Sequence, residues 1–250
     1  MLAFDRRGQG APLVLVHGIT ECRRAWDPLL PALETSHDVV NVDLRGHGES
    51  DRHPPFDPLT LAADVHDVVE SAGITDPLLV GHSLGGMVVT AYAASFRCRG
   101  VLNIDQSIRL SAFKEALEPL AGLLRGSQAD FQQAMSMVFD VMRGPLPDAE
   151  WARLSALRRP DQEMVMEIWS PVLDTPVESL ESMVSALASS ISVPYLSIHG
   201  SDPGPGYGEW LAELISTSEI EIWDGLGHYP HLVQPERFLR RLESYEVSLG

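Results

Sequence analysis

The chain has 250 residues, of which 44% are hydrophobic, so it can bury a full core as one domain or as one domain with an insertion. Its 18 basic and 35 acidic side chains leave a formal charge of −17, which repels phosphate backbones and anionic lipid surfaces. We therefore expect neither a nucleic acid nor a membrane partner. Four adjacent arginine pairs, Arg158-Arg159 among them, are expected to face solvent.

Short apolar runs alternate with segments of helical periodicity along most of the chain. A first strand over residues 2–6 is predicted to be antiparallel to its neighbour. The runs predicted as buried parallel strands are 12–16, 39–42, 78–80, 101–104, 195–198 and 219–223. The segments predicted as helices between them are 25–33, 59–72, 86–96, 209–215 and 235–247. This alternation predicts an α/β fold with a doubly wound, mostly parallel sheet.

One long interval contains no strand pattern. The helices predicted in it are 113–124, 129–142, 148–157, 161–169 and 177–188. An insertion of this length is too long for a loop and short for an independent domain. We therefore predict a core of residues 1–106 and 191–250, with residues 107–190 folded onto it as a helical cap before the last two strands.

The start of the chain lacks the long apolar stretch of a secretory signal, and we expect a cytoplasmic protein. Cys22 and Cys98 match no metal or redox spacing and are expected to be free thiols. No two histidines stand at HxxxH or HExxH spacing with acidic neighbours, so the sequence predicts no metal site. The sequence implies no cofactor, and it leaves open whether the protein forms a homodimer.

The most informative segment is the apolar run 78–80 followed by Gly81-His82-Ser83-Leu84-Gly85. A strand that ends in GxSxG and continues as a helix is typical of a nucleophile elbow. The sharp turn strains the serine and lifts its hydroxyl clear of the sheet, while the glycines let strand and helix pass closely. Ser83 is therefore the candidate nucleophile.

Three further motifs accompany this elbow in a characteristic order. His17-Gly18 follows the second predicted strand, the segment 43–50 (DLRGHGES) follows the third, and Gly227-His228 lies near the end. With these four motifs the chain resembles members of the α/β-hydrolase superfamily, in its capped branch, over nearly its whole length. The resemblance implies the α/β-hydrolase fold and a serine hydrolase.

The resemblance also implies roles for individual residues. His228, in a glycine-rich loop after a predicted strand, would be the base, with His231 as the alternative. The main-chain N–H groups of Ile19 and Leu84 would form the oxyanion hole. His17 and His82 are expected to hold loops rather than to transfer protons.

The carboxylate that should orient the base has two candidates. Relatives usually carry it as GxxD after the penultimate strand, but here Gly200-Ser201-Asp202 places the aspartate one residue early in a short loop. A second branch takes it from the end of the strand before the cap, where Asp105 stands. The sequence favours Asp202, with Asp105 as the alternative.

A serine nucleophile points to acyl transfer and away from the related enzymes that use an alkylated aspartate. We expect a small, largely apolar ester or related acyl compound as substrate. The same residues would also serve a lactonase, an amidase, a carbon–carbon bond hydrolase or a perhydrolase. A non-catalytic receptor for small molecules is a further alternative. Aromatic and methionine side chains of the cap favour a hydrophobic pocket, although most of them could instead bury the cap helices against one another.

Overall fold

A computed structural model describes residues 1–250 and contains one seven-stranded sheet. Its strands are β1 (Phe4–Arg7), β2 (Ala11–Val16), β3 (His37–Val42), β4 (Leu78–His82), β5 (Gly100–Ile104), β6 (Tyr195–His199) and β7 (Ser218–Ile222). Their order across the sheet is β1-β3-β2-β4-β5-β6-β7. Only β1 is antiparallel to its neighbour, with Phe4 opposite Val42, and all other pairs are parallel. The predicted fold class is confirmed.

Both faces of the central strands are buried, which explains their nearly continuous apolar sequences. Successive side chains of a strand point to opposite faces. Val14 and Val16 of β2 accordingly belong to one apolar cluster, and Leu13 and Leu15 belong to the other. No residue of β4 is exposed.

Helices cover both faces of the sheet. Those outside the long insertion are α1 (Leu30–Leu33), α2 (Pro58–Ser71), α3 (Leu84–Ser95), α10 (Tyr207–Leu214), α11 (Pro230–Val233) and α12 (Pro235–Leu249). Buried residues of α2, α3 and α10 belong to the first cluster, whereas those of α1 and α12 belong to the second. The sheet is therefore a doubly wound layer between two groups of helices.

The predicted helix over 25–33 is not continuous. The chain instead forms a 3₁₀ turn at Arg23–Trp26 and the short helix α1, with Pro31 in the first turn of α1. Proline lacks the N–H that a helix interior needs but is well suited to a helix start, so Pro28 and Pro31 divide the segment.

The chain between β5 and β6 contains helices and no strand. They are α4 (Ser111–Leu117), α5 (Ala121–Leu124), α6 (Gln128–Met142), α7 (Asp148–Leu157), α8 (Gln162–Asp174) and α9 (Val177–Ala188). The predicted helix 113–124 is interrupted by a 3₁₀ turn at Glu118–Leu120, which contains Pro119. Most buried apolar side chains of this insertion join the first apolar cluster, Leu146 and Leu154 join the second, and Met137 and Met183 are exposed. None of the helices in the protein has the length and apolar character that crossing a membrane requires.

Candidate active site

The candidate residues meet at one edge of the sheet because each follows the carboxyl end of a parallel strand. Ser83 comes directly after β4, and Asp105 comes directly after β5. The segment with His17 follows β2, and His228 lies in the loop after β7. Strand order therefore places the loops after β2, β4, β5, β6 and β7 side by side along this edge.

Ser83 occupies a strained turn. Its φ of 53° lies in the left-handed region that non-glycine residues avoid. A side chain on Gly81 would overlap the carbonyl oxygen of Gly85, and one on Gly85 would overlap that of Val16. The sequence predicts this close passage of strand and helix. Ser83 itself is held by its N–H, which donates to the carbonyl of Ile104 at 3.0 Å.

His228 and Asp105 are joined directly. The Nδ1 of His228 lies 2.6 Å from Oδ2 of Asp105, and Oδ1 of Asp105 accepts the N–H of Gly200 at 2.7 Å. Burial raises the pKa of Asp105, but the hydrogen bond and charge of His228 and the Gly200 amide together hold it below its usual range. An ionised Asp105 can thus hold the proton of His228 on Nδ1 and leave Nε2 free to accept another.

Asp202, the aspartate that the sequence favours, lies elsewhere. It is exposed, and its Oδ1 accepts the N–H of Gly204 at 2.8 Å, two residues further on. No hydrogen bond or ion pair connects it with His228. The cause is local. The chain turns at Gly200, whose amide is already bonded to Asp105, and the next residues run outward to solvent.

The main-chain N–H groups of Ile19 and Leu84 have no acceptor within the protein. Both residues are buried, and Leu84 is the first residue of α3, where the free N–H groups of a helix start are oriented outward along its axis. The loop with Ile19 is held by His17, whose Nε2 accepts the N–H of Leu44 at 3.0 Å. Two unpaired donors beside Ser83 can receive a negatively charged oxygen.

The other histidines of this region make different contacts. Burial lowers the pKa of His17 and lowers that of His47 to about 3, and each ring contacts a main-chain carbonyl of its own loop through Nδ1. His231 lies in α11 against Trp26, and burial holds its pKa well below the usual range. Unlike His228, His231 has no carboxylate partner.

Two buried charges of the site were missed by the sequence analysis. Glu21 is 3% exposed and Arg158 is 8% exposed, although the arginine pairs were expected to face solvent. That expectation is wrong for Arg158 because the insertion folds its side chain over Phe139 and Trp151. Neither residue has a local sequence signal, since their burial depends on the packing of the insertion on the core.

No group of three or more His, Cys, Asp or Glu side chains is arranged to hold a metal ion. Cys22 and Cys98 are free thiols. The groups that lie at this edge are a hydroxyl, an imidazole, a carboxylate and two main-chain amides, which is the set required for acyl transfer.

The sequence and the fold of this chain are similar to those of known proteins. A model of the alpha/beta hydrolase family matches residues 13–241. Esterase YbfF of Escherichia coli is 25% identical, covering 94% of this chain and 92% of the relative, and 3-oxoadipate enol-lactonase 1 of Acinetobacter baylyi is 26% identical, covering 90% and 84%. The structure of esterase RhEst1 from a Rhodococcus species is similar with a TM-score of 0.75 at 25% identity, covering 100% of this chain and 95% of that one.

The family match covers nearly the whole chain, including most of β2, every strand from β3 to β7 and each candidate residue named above. The relatives match over most of their own lengths as well as over most of this chain. The protein is therefore an enzyme of the α/β-hydrolase family.

Proposed function

We propose that this protein is a serine hydrolase that cleaves small, largely apolar carboxylic esters through an acyl-enzyme on Ser83. The observation that carries this proposal is the 2.6 Å contact between His228 and Asp105, on the loops beside the strained turn of Ser83. An imidazole oriented by a buried carboxylate is the base that a serine hydroxyl needs. The esterases among the relatives support the same reaction class.

In the proposed triad the acid is Asp105 rather than Asp202. Only Asp105 contacts the imidazole of His228, and its pKa lies below the usual range, so it is ionised at neutral pH. A carboxylate on Nδ1 fixes the tautomer and stabilises the imidazolium that forms during catalysis. Asp202 is exposed and bonded within its own loop.

The reaction would proceed in two acyl-transfer steps. Nε2 of His228 takes the proton of Ser83, whose oxygen attacks the ester carbonyl, and the oxyanion is received by the amides of Ile19 and Leu84. Each such donor contributes about 3 kcal/mol to transition-state stabilisation. His228 then protonates the leaving alcohol and afterwards activates the water that releases the acid.

We further propose that residues 107–190 act as a cap over this site, on a core of residues 1–106 and 191–250. Side chains of Ile19 and Leu84 belong to the same apolar cluster as Phe131, Met164 and Trp169 of the insertion. The insertion also bonds to the site directly, since the N–H of Arg159 donates to the carbonyl of Thr20 at 2.9 Å. Apolar surroundings favour an apolar substrate and exclude water from the reacting atoms.

A cyclic ester is the second candidate substrate. It would be opened by the same residues, and similarity to an enol-lactonase over most of both chains supports it. Hydrolysis of amides, hydrolysis of carbon–carbon bonds and acyl transfer to peroxide would use the same triad. A substrate panel tests each of these reactions as well. A receptor that binds without turnover would fail every arm.

The test is hydrolysis of aryl esters of short acids, and of simple lactones, by the wild type and by Ser83→Ala. We expect the variant to lose at least about 10³-fold in kcat while retaining its fold. Ser201→Ala, an exposed serine on a neighbouring loop, is the matched control and should retain full activity. Activity of Ser83→Ala above about one per cent of wild type would refute the nucleophile assignment.

A further inference from the structure

Arg158 brings a buried positive charge from the insertion to the candidate active site. It follows α7, its guanidinium stacks over Phe139 and Trp151 at 4.1 and 4.3 Å, and its Nη2 donates to the hydroxyl of Tyr229 at 2.7 Å. It forms no direct ion pair with a carboxylate. Because an unmatched buried charge is costly, a compensating charge is needed close by.

Glu21 supplies that charge through Tyr229. The hydroxyl of Tyr229 donates to Oε1 of Glu21 at 2.8 Å, so it lies between the guanidinium and the carboxylate. Burial raises the pKa of Glu21, but His82, the charge of Arg158 and the hydrogen bond of Tyr229 hold it well below its usual range. The other oxygen, Oε2, has no hydrogen-bond partner and lies 3.7 Å from Nδ1 of His82.

His82 connects this carboxylate to His228. Its Nε2 donates to the main-chain carbonyl of His228 at 2.8 Å, and the two rings are 4.7 Å apart. The connection passes close to the candidate nucleophile, since a Cβ built on Gly18 would lie 3.2 Å from each of Glu21 Oε2, His82 Nδ1 and Ser83 Cβ. This buried relay of Arg158, Tyr229, Glu21 and His82 joins the insertion to His228 by hydrogen bonds at every step except the 3.7 Å contact between Glu21 and His82, which is an ion pair when both ring nitrogens of His82 are protonated.

Ordering the loop that carries His228 has a high cost in backbone entropy, because the loop contains two glycines. Gly225 and Gly227 both have positive φ, and glycine has the largest backbone entropy to lose. The imidazole of His228 is held by Asp105. The main-chain N–H of His228 donates to the carbonyl of Met142, in the insertion, at 3.2 Å. The relay holds the remaining main-chain group, the carbonyl.

We propose that Glu21 is a positioning residue for the proposed base: with Arg158 and Tyr229 it holds His82, and His82 holds the main chain of His228 in line with Ser83. This proposal rests on the proposed function, because it assigns the relay to the same triad. It is separate from the contact with Asp105, which orients the ring. The insertion then contributes to catalysis by completing the geometry of the core, beyond covering the substrate.

The test is to break the relay with Tyr229→Phe and Glu21→Gln, which preserve side-chain volume. Small displacements of a catalytic group cost up to about 100-fold, so we expect kcat to fall about 10- to 100-fold with KM changed less than about 3-fold. The matched control is Arg153→Met. Arg153 also ties α7 to the core, through the carbonyls of Arg24 and Ala25, but does not reach the relay. Its kcat should stay within about 3-fold of wild type.

A second measurement does not require turnover. The NMR chemical shift of the His228 Cε1–H should change in both relay variants, because the ring moves relative to Asp105 and His82 when the main-chain carbonyl of His228 is no longer held. It should not move in Arg153→Met. If the NMR signal of His228 changes in the relay variants but the wild type hydrolyses no substrate, the proposed function is overturned and the relay is not.

An unchanged His228 chemical shift and an unchanged kcat in a folded Tyr229→Phe would overturn the relay. So would equal losses of kcat in Tyr229→Phe and Arg153→Met. If Tyr229→Phe does not fold, Glu21→Gln decides by the same two readouts, because its amide oxygen can still accept the hydroxyl of Tyr229.

Discussion

The loops after β5 and β6 each carry an aspartate, yet only one of the two aspartates reaches His228. Asp105 directly follows the last residue of β5, has a φ of 52° and bonds to both Gly200 and His228. Asp202 stands three residues beyond β6, is exposed and bonds only to Gly204. The comparison teaches that the distance from the strand end matters more than the motif. A residue next to the strand is held rigidly at the sheet edge, whereas one further along follows the loop outward.

The largest expected effect is the difference between Asp105→Asn and Asp202→Asn in ester hydrolysis. Replacing the acid of a serine triad by its amide leaves the geometry but favours the wrong tautomer of the imidazole, at a cost of about 10⁴-fold. We expect kcat to fall about 10³- to 10⁴-fold for Asp105→Asn and to change less than about 2-fold for Asp202→Asn. Steady-state kinetics under identical conditions measures both. A collapse of kcat in Asp202→Asn alone would reverse the assignment.

A smaller effect is expected at Gly200, which joins the two loops to that of His228. Its N–H donates to Asp105, its carbonyl accepts the N–H groups of Leu226 and Gly227, and a Cβ there would overlap the carbonyl oxygen of Gly227. Gly200→Ala should therefore displace the loop of His228 and lower kcat about 10- to 100-fold, together with the melting temperature.

Gly208→Ala is the control for Gly200→Ala. Gly208 lies in α10 with ordinary space for a Cβ, so alanine should stabilise the protein by about 0.5–1 kcal/mol without altering kcat. Thermal unfolding of both variants provides the comparison. A Gly200→Ala variant that behaves like Gly208→Ala would show that the loops are not coupled at this point.

The smallest effect concerns acid stability. The pKa of Asp105 is lowered in the folded protein, so its ionised form contributes stability that is present above the unfolded pKa, near 4, and is lost as pH falls through the lower folded value. The free-energy difference between wild type and Asp105→Asn should therefore stay level above about pH 5 and change as pH drops below about 4. Urea unfolding across this range measures it. A difference that stays constant down to about pH 2 would contradict an ionised Asp105.

The sequence predicts most strands to within two residues because short apolar runs are typical of buried parallel strands. The segment 25–33 shows where the pattern fails. Its apolar spacing suits a helix, but Pro28 and Pro31 divide it. The prediction for Arg158 fails for another reason. A charged pair at a helix end is typical of an exposed surface, and the sequence does not show which residues pack over it.

The sequence by itself determined the order of strands and helices, the strained turn around Ser83 and the candidate role of His228, because these depend on local patterns and on short motifs. Only the tertiary structure decided which carboxylate meets His228. Asp105 and His228 are 123 residues apart, and their 2.6 Å contact arises from the order of the strands and the turn at Gly200. The burial of Glu21 and Arg158 also depends on the tertiary structure. The desolvation cost of each charge is offset only when the opposite charge lies on the other side of the Tyr229 hydroxyl.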